Sequence, residues 1–400
     1  MRFWDTLGLI AVLAAFAVGC GGGGASAPQS PVPTPPSATV AVAISPASAQ
    51  VPAGGSEQFS AVVTGAANSA VIWKVNGVAG GSASAGTISA SGLYAAPPAV
   101  PAAASVKISA VPQADTSKSA TASVTIIHPP IGHVFLLVEE NHSYSSVIGS
   151  PSMPYLNSLA TQFGLATGYY ANSHPSIGDY FMLTTGQLVT TNDSFSGTVS
   201  VDNLARELIA AGKTWKVYAE NLPAVGYVGG DAYPYLERHN PFSFFSDVRN
   251  SAVQRQNLLP FSQFASDLAN NQLPVFSHIV PNAEHDGHDC PDGTSNCSDS
   301  LKLSTADSWL KSSLAPLLSS GLFQKDGLLV VVFDESVSSD TANGGGHVAM
   351  LVIGPAARPA WQSSTFYQHQ STLRLLVNGS GAAAAPGSSA AAGGMGEFLR

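Results

Sequence analysis

Four short stretches of this 400-residue chain concentrate side chains that could do chemistry. HVFLLV runs into Glu139, Glu140, Asn141 and His142. GLLVVVF runs into Asp334, Glu335 and Ser336. LPVFSHIV runs into Pro281, Asn282, Ala283, Glu284, His285, Asp286, Gly287, His288 and Asp289. HVAMLVI is preceded by Gly344, Gly345, Gly346 and His347. Carboxylates crowded together repel one another unless a cation or shared protons lie between them. Oxygen donors mixed with imidazoles suit a divalent metal ion. A fifth stretch, NSHPSIGDYFML, sets Ser176 behind His174-Pro175 and ahead of a helical pattern. Ser176 is therefore either the cap of that helix or a nucleophile held at its N-terminus. Each piece has a plain structural use: an Asp after a strand commonly serves a turn or a cap, and a triple glycine can be only a turn. Their coincidence is the signal, because charged residues make up just 10% of the chain.

Such side chains need a scaffold to bring them together. From residue 131 onward, apolar runs alternate with amphipathic ones. The pattern predicts strands over 133–139, 214–220, 273–281, 327–335 and 347–354, and helices over 153–164, 201–212 and within 304–321. Apolar strands alternating with helices imply an α/β fold, a doubly wound and mostly parallel sheet with both faces covered. Ligands of such sheets bind beyond the carboxyl ends of the strands, where the polar stretches fall. Residues 38–127 have no helical period. Short alternating runs between turn residues predict an all-β sandwich there, with Trp73 in its core. The wording GTISASGLYAAP after VIWKVNGVAGG resembles bacterial immunoglobulin-like domains, which implies a spacer or adhesion module. His128-Pro129-Pro130 marks the boundary before a catalytic region over 131–400.

The N-terminus opens with Arg2 and an apolar run from Leu7 to Val18, too short for a comfortable membrane span and suited to a signal-peptide core. It ends in Ala17-Val18-Gly19-Cys20, which resembles a bacterial lipoprotein cleavage box with Cys20 lipidated. The expectation is a signal over 1–20, a Gly/Pro/Ser linker over 21–37, and an exported protein held at the cell envelope by a lipid, or else secreted. Asp5 is atypical of such a signal, and an ordinary secretory or uncleaved segment is the alternative. Cys290 and Cys297 then remain, with an expected disulfide that pins a Gly/Asp/Asn-rich loop. A net charge of -9 with no basic block argues against a nucleic acid partner.

Competing motifs fail: there is no G-x-S-x-G elbow, no HExxH, and Gly212-Lys213-Thr214 has Glu207 where a phosphate loop needs glycine. Taken together, HVFLLVEENHSY, YYANSHPSIGDY, YLERHNPF, PNAEHDGHD, ADSWL and VFDES…GGGHVAMLVIGP resemble the bacterial phosphoesterase family of acid phosphatases and phospholipases C, within the alkaline-phosphatase-like superfamily. The resemblance spans roughly 131–400. It implies Ser176 as the nucleophile that takes the phosphoryl group, and Glu140, Asn141, Asp334 and Glu335 as ligands of one or two divalent ions. It also implies Asp286, His288, His347 and His239 as further ligands, phosphate binders or the proton donor, with Glu284 able to replace Asp286. His174, Asp179 and Arg238 are the implied substrate contacts. One departure stands out: many relatives carry Asn where this chain has Asp179 and Pro where it has Gly178, and an ionised Asp repels a phosphate dianion. The expected reaction is hydrolysis of phosphate monoesters through a phosphoserine. The alternatives are a phospholipase C-type diesterase, a surface binding protein that kept the scaffold and lost activity, and more distantly a sulfatase-like relative.

Overall fold

The computed structural model describes residues 39–400, so the expected signal over 1–20 with Cys20 and the linker over 21–37 lie outside the described residues. Residues 40–400 form one compact unit containing two separate hydrophobic cores.

The first core belongs to strands alone. Ala41–Ser45 pairs with Ser60–Thr64. A five-stranded sheet has the order Ser48–Pro52, Ala120–Ile127, Ser105–Pro112, Val71–Val75, Val78–Ala79. A four-stranded sheet has the order Ser56–Gln58, Leu93–Ala95, Gly86–Ile88, Gly81–Ser82. The two-residue period does the work: along Ala120–Ile127, Ala122, Val124 and Ile126 are buried while the residues between them face outward. Trp73 is buried in this core with Phe59 and Tyr94. Among the described residues no helix is long and apolar enough to cross a membrane.

The second core is built on an eight-stranded sheet. Its strands are β1 (His133–Glu139), β2 (Gly164–Ala166), β3 (Trp215–Ala219), β4 (Leu258–Pro260), β5 (Phe276–Val280), β6 (Gly327–Phe333), β7 (Met350–Ile353) and β8 (Gln362–Ser363). Their spatial order is β4-β3-β5-β1-β6-β7-β2-β8. Helices α1 (Pro154–Gln162), α2 (Ile177–Thr185), α3 (Leu204–Ala210), α4 (Ser262–Ala269), α5 (Asp299–Ser319) and α6 (His369–Ser380) accompany it, joined by shorter turns. β6 is buried at every position, as a central strand covered on both faces must be.

Two departures from the sequence pattern matter. Gly164 does not end α1; it begins β2, where a Cβ would come within 2.8 Å of the Phe398 ring. And β7 runs antiparallel to both β6 and β2, while every other pairing in this sheet is parallel. The start of an antiparallel strand lies beside the carboxyl ends of its neighbours. That reversal is what carries the glycine run and His347 to the same edge as Glu140 and Asp334.

Candidate active site

The carboxyl edge is assembled by continuing the β1–β6 ladder past the strands. Glu139 is paired with Phe333 in register, and the Asp334 N–H then donates to the Glu139 carbonyl at 2.9 Å. Asn141 takes a left-handed backbone (φ 55°), which Asn tolerates better than most residues. That turn lets its backbone N–H donate to Asp334 Oδ1 at 3.0 Å while its side-chain amide donates to Glu140 Oε2 at 2.7 Å. On the other side of β1, the Glu140 N–H donates to the Asp286 carbonyl at 2.8 Å. Three strand ends thus converge through backbone bonds alone.

Ser176 completes the cluster from α2. It occupies the N-cap position with helical dihedrals, and its hydroxyl makes no cap bond. It lies instead 3.0 Å from Glu140 Oε2 and 3.2 Å from Glu335 Oε1, able to donate its one proton to either. α2 is buried on all sides, so Ser176 stands on a rigid element.

His239, from the turn Glu237–His239, is held between two carboxylates. Its Nδ1 is 3.0 Å from Asp286 Oδ2, sharing one proton with it, and its Nε2 is 3.1 Å from Glu140 Oε1. That second pair is close but out of line for a hydrogen bond, so both atoms are buried without a partner. Asp334 Oδ2 and Glu335 Oε2 are in the same condition, as is His174 Nδ1, which approaches Glu335 Oε2 to 2.9 Å without aligning. Buried polar atoms are normally paired, and five orphans around one serine hydroxyl mark a place for a shared partner. Burial, with Asp334 and Asp286 beside it, pushes the Glu140 carboxyl far above its ordinary range. Burial, then Asp334 and Asp179, pushes Glu335 up to about 9. Burial raises Asp286 to about 7 and lowers His239 to about 3. The donor set fits a divalent cation: Glu140, His239 and Asp286 offer ligand atoms within 4.8 Å of one another. The carboxylate on Nδ1 orients the ring and leaves Nε2 as the outward donor, a pairing common behind metal-ligating histidines.

The remaining predicted residues divide. Asp286 joins the cluster, whereas Glu284 sits toward the surface and accepts from the Tyr233 hydroxyl and the Gly293 N–H. His288 is half-buried, its ring 6.2 Å from that of His239 and its Nδ1 2.7 Å from Asp289 Oδ1. His174 is fastened by Nε2 to the Asp340 carbonyl at 3.0 Å. Arg238 is paired with Asp231 at 2.6 Å. Two of these residues are held by other partners. His347 is stacked between Tyr144 and Tyr170, with Nε2 on the Thr167 carbonyl, which makes it a brace of the neighbouring loop. Asp179 is fully buried and held by local partners: Oδ1 accepts from the Asn172 N–H at 2.8 Å and lies 3.3 Å from His369 Nε2, and Oδ2 accepts from the Ser173 hydroxyl at 3.1 Å. The sulfurs of Cys290 and Cys297 are bonded.

Two contributors, Tyr180 and His369, escaped the sequence, and a third, Glu139, was visible there only as a polar residue after HVFLLV. Tyr180 stacks on His239, with ring centroids 5.1 Å apart, and its hydroxyl is directed at Glu140. It follows Ser176 by one helical turn, so the spacing could have revealed it. His369 heads α6 and reaches the Asp334 carbonyl at 2.6 Å. Glu139 is fully buried with both oxygens unpartnered.

The sequence model of the phosphoesterase family matches residues 150–379, a narrower span than 131–400 that leaves Glu140 and Asn141 just ahead of it. A phosphatidylinositol-3-phosphatase of Mycobacterium tuberculosis is 31% identical over 271 residues, covering 67% of this chain and 81% of that protein. A probable acid phosphatase of Kluyveromyces lactis is 29% identical over 248 residues, covering 60% of this chain and 56% of that protein, little more than half its length. Among solved structures, a protein of the alkaline phosphatase superfamily from Vibrio parahaemolyticus aligns with a TM-score of 0.47 and 14% identity over 64% of this chain and 68% of that one.

Proposed function

Because the chain belongs to the phosphoesterase family, hydrolases of phosphoric ester bonds, we propose that it hydrolyses phosphate monoesters through a phosphoserine on Ser176, with a divalent ion held by the cluster around it. The observation that carries this reading is the set of orphaned buried atoms, on Glu140, His239, Asp334, Glu335 and His174, gathered about the Ser176 hydroxyl. A divalent ion bound there makes the hydroxyl more acidic and neutralises phosphoryl oxygens.

The chain's own residues supply the rest. Glu140 and Glu335 lie within reach of the Ser176 proton. The Ser176 oxygen bonds to phosphorus as the bond to the ester oxygen breaks, and the departing alcohol takes up a proton. His288 can give it from its doubly protonated form, in which Asp289 accepts from Nδ1–H and the Nε2–H is free to reach the leaving oxygen. Water then attacks the phosphoserine to release inorganic phosphate and restore the hydroxyl. Arg238 keeps guanidinium donors beyond its bond to Asp231 and is the cation available to the phosphoryl oxygens. The alternative, a surface binding protein that kept the scaffold and lost activity, rests on Asp179 and on the adhesion-like domain; the Asp179 carboxyl accepts from the Asn172 N–H and the Ser173 hydroxyl, which weakens the first ground.

We further propose that residues 38–127 form an immunoglobulin-like spacer, and that a lipid on Cys20 tethers an exported protein to the envelope. A phosphorylated lipid headgroup, the kind of substrate named for the M. tuberculosis relative, is one monoester to test. The decisive assay compares wild type with Ser176→Ala on a chromogenic phosphate monoester across a series of divalent ions. Wild type should be faster by several orders of magnitude with at least one ion. Equal rates with every ion would sink the reading.

A further inference from the structure

Between α2 and α3 the chain passes through TTNDSFSGTVS, residues 190–200, in which Asp193 is exposed and Val199 is buried in the core. One side chain of that segment returns to the active site. Asp193 Oδ1 accepts from the backbone N–H of Ile177 at 3.4 Å, and Ile177 is both the residue after Ser176 and the first of α2. The next three amides of the helix are spent: those of Gly178, Asp179 and Tyr180 donate to the carbonyls of Pro175 and Ser176. Asp193 also lines a cavity of about 160 Å³ with Phe195, Asp231, Arg238 and Phe244. Arg238, which lines the same cavity, is the residue before His239 of the cluster. The charge of Asp193 reaches that cluster, being among those that raise Glu335 after burial, Asp334 and Asp179.

An N–H at the head of a helix, one residue from the attacking oxygen, is a natural donor to a phosphoryl oxygen. Here a carboxylate holds it. We propose that Asp193 is a specificity-determining residue: its carboxylate occupies the Ile177 N–H that a phosphoryl oxygen of the substrate takes, and must be displaced when substrate binds. This inference rests on the Ser176 reading. Displacement is easy, since the bond is long and the residue exposed. It still carries a preference. Like charges a few ångströms apart repel, and a doubly charged phosphoryl group is repelled more than a singly charged one. Asp193 therefore weakens the binding of free phosphate and of monoester dianions relative to diesters.

The test uses the full chain loaded with whichever divalent ion supports activity, as wild type, Asp193→Asn and Asp193→Ala. Inorganic phosphate is the probe, with a chromogenic monoester and diester assayed at one pH. In Asp193→Ala, phosphate should inhibit about tenfold more tightly, with Asp193→Asn between the two. The monoester KM should fall by more than kcat changes, and the monoester-to-diester ratio of kcat/KM should rise. A purely structural role would move both substrates alike. Phosphate inhibition that is unchanged or weaker in both variants overturns the proposal. If wild type cleaves no ester, the Ser176 reading fails by itself, and phosphate affinities measured by calorimetry on the same three proteins still decide the role of Asp193.

Discussion

A buried acid without a cation beside it is most cheaply kept neutral. Asp179 is in that position, pushed well above its ordinary range by burial and then by Asp334. Its hydrogen-bond partners, the Asn172 N–H and the Ser173 hydroxyl, are served equally well by an amide whose oxygen accepts from the first, and also faces His369 Nε2 at 3.3 Å, while its nitrogen donates to the second. Asp179→Asn is therefore expected to leave kcat/KM and the thermal midpoint close to wild type. Asp179→Ala orphans the Asn172 N–H and should cost about 1–3 kcal/mol in denaturant unfolding. A large rise in phosphatase activity in the Asn variant would show instead that the acid holds phosphate off. The same stretch shows what residue types reveal. Ser176, Glu140, Asn141, Asp334 and Glu335 were legible because they stand at element ends, where side chains of these types have few structural uses. The setting of His347 was not legible, because the rings that sandwich it, Tyr144 and Tyr170, come from other segments. His369 carried no local signal; only the packing of α6 against α2 brings it to Asp334.

At the scale of elements, the glycine run before β7 fixes the loop that carries the nucleophile. The Gly345 N–H donates to the Ala171 carbonyl, the Ala171 N–H donates to the Gly346 carbonyl, and the Ser336 N–H donates to the Gly345 carbonyl. The two backbones are so close that a Cβ on Gly345 would stand 2.3 Å from the Ser173 carbonyl oxygen. Gly345 does not have a left-handed backbone, so alanine there tests the close approach alone. Gly345→Ala should cost about 1–3 kcal/mol, as overpacking does, and should lower kcat by shifting the segment that leads to Ser176. Both are read from a denaturant midpoint and a turnover assay; a variant with wild-type turnover would show that this loop does not set the position of Ser176. The long strands β1 and β6 were visible as continuous apolar runs. β2, β4 and β8, of two or three residues, are too short to show a period, and the reversed direction of β7 is a property of the sheet that no local pattern encodes.

For the whole molecule, the cluster couples folding, pH and the cation. Asp286 and Glu335 are raised by burial to about 7 and about 9, and Glu139, Glu140, Asp179 and Asp334 are raised as well. In the unfolded chain such carboxyls titrate near about pH 4. Above that pH the folded chain holds protons on these carboxyls that the unfolded chain has released, so the stability they contribute falls as pH rises through the folded values; His239, His278 and His369, kept neutral by burial, act in the opposite sense below about pH 6.5. A divalent ion binds the deprotonated groups and replaces those protons, so the stabilisation it gives grows with pH. Protein stripped with a chelator should therefore show a thermal midpoint that declines from about pH 7 to about pH 9, and a midpoint increase on adding the ion that is larger at the alkaline end. Glu140→Gln, which removes one of these charges, should flatten the decline and shrink the increase together. A stripped protein whose midpoint rises over that range, or an ion-induced increase that is largest in acid, would mean that these carboxyls find other partners and that the cation is not what the cluster is built to hold.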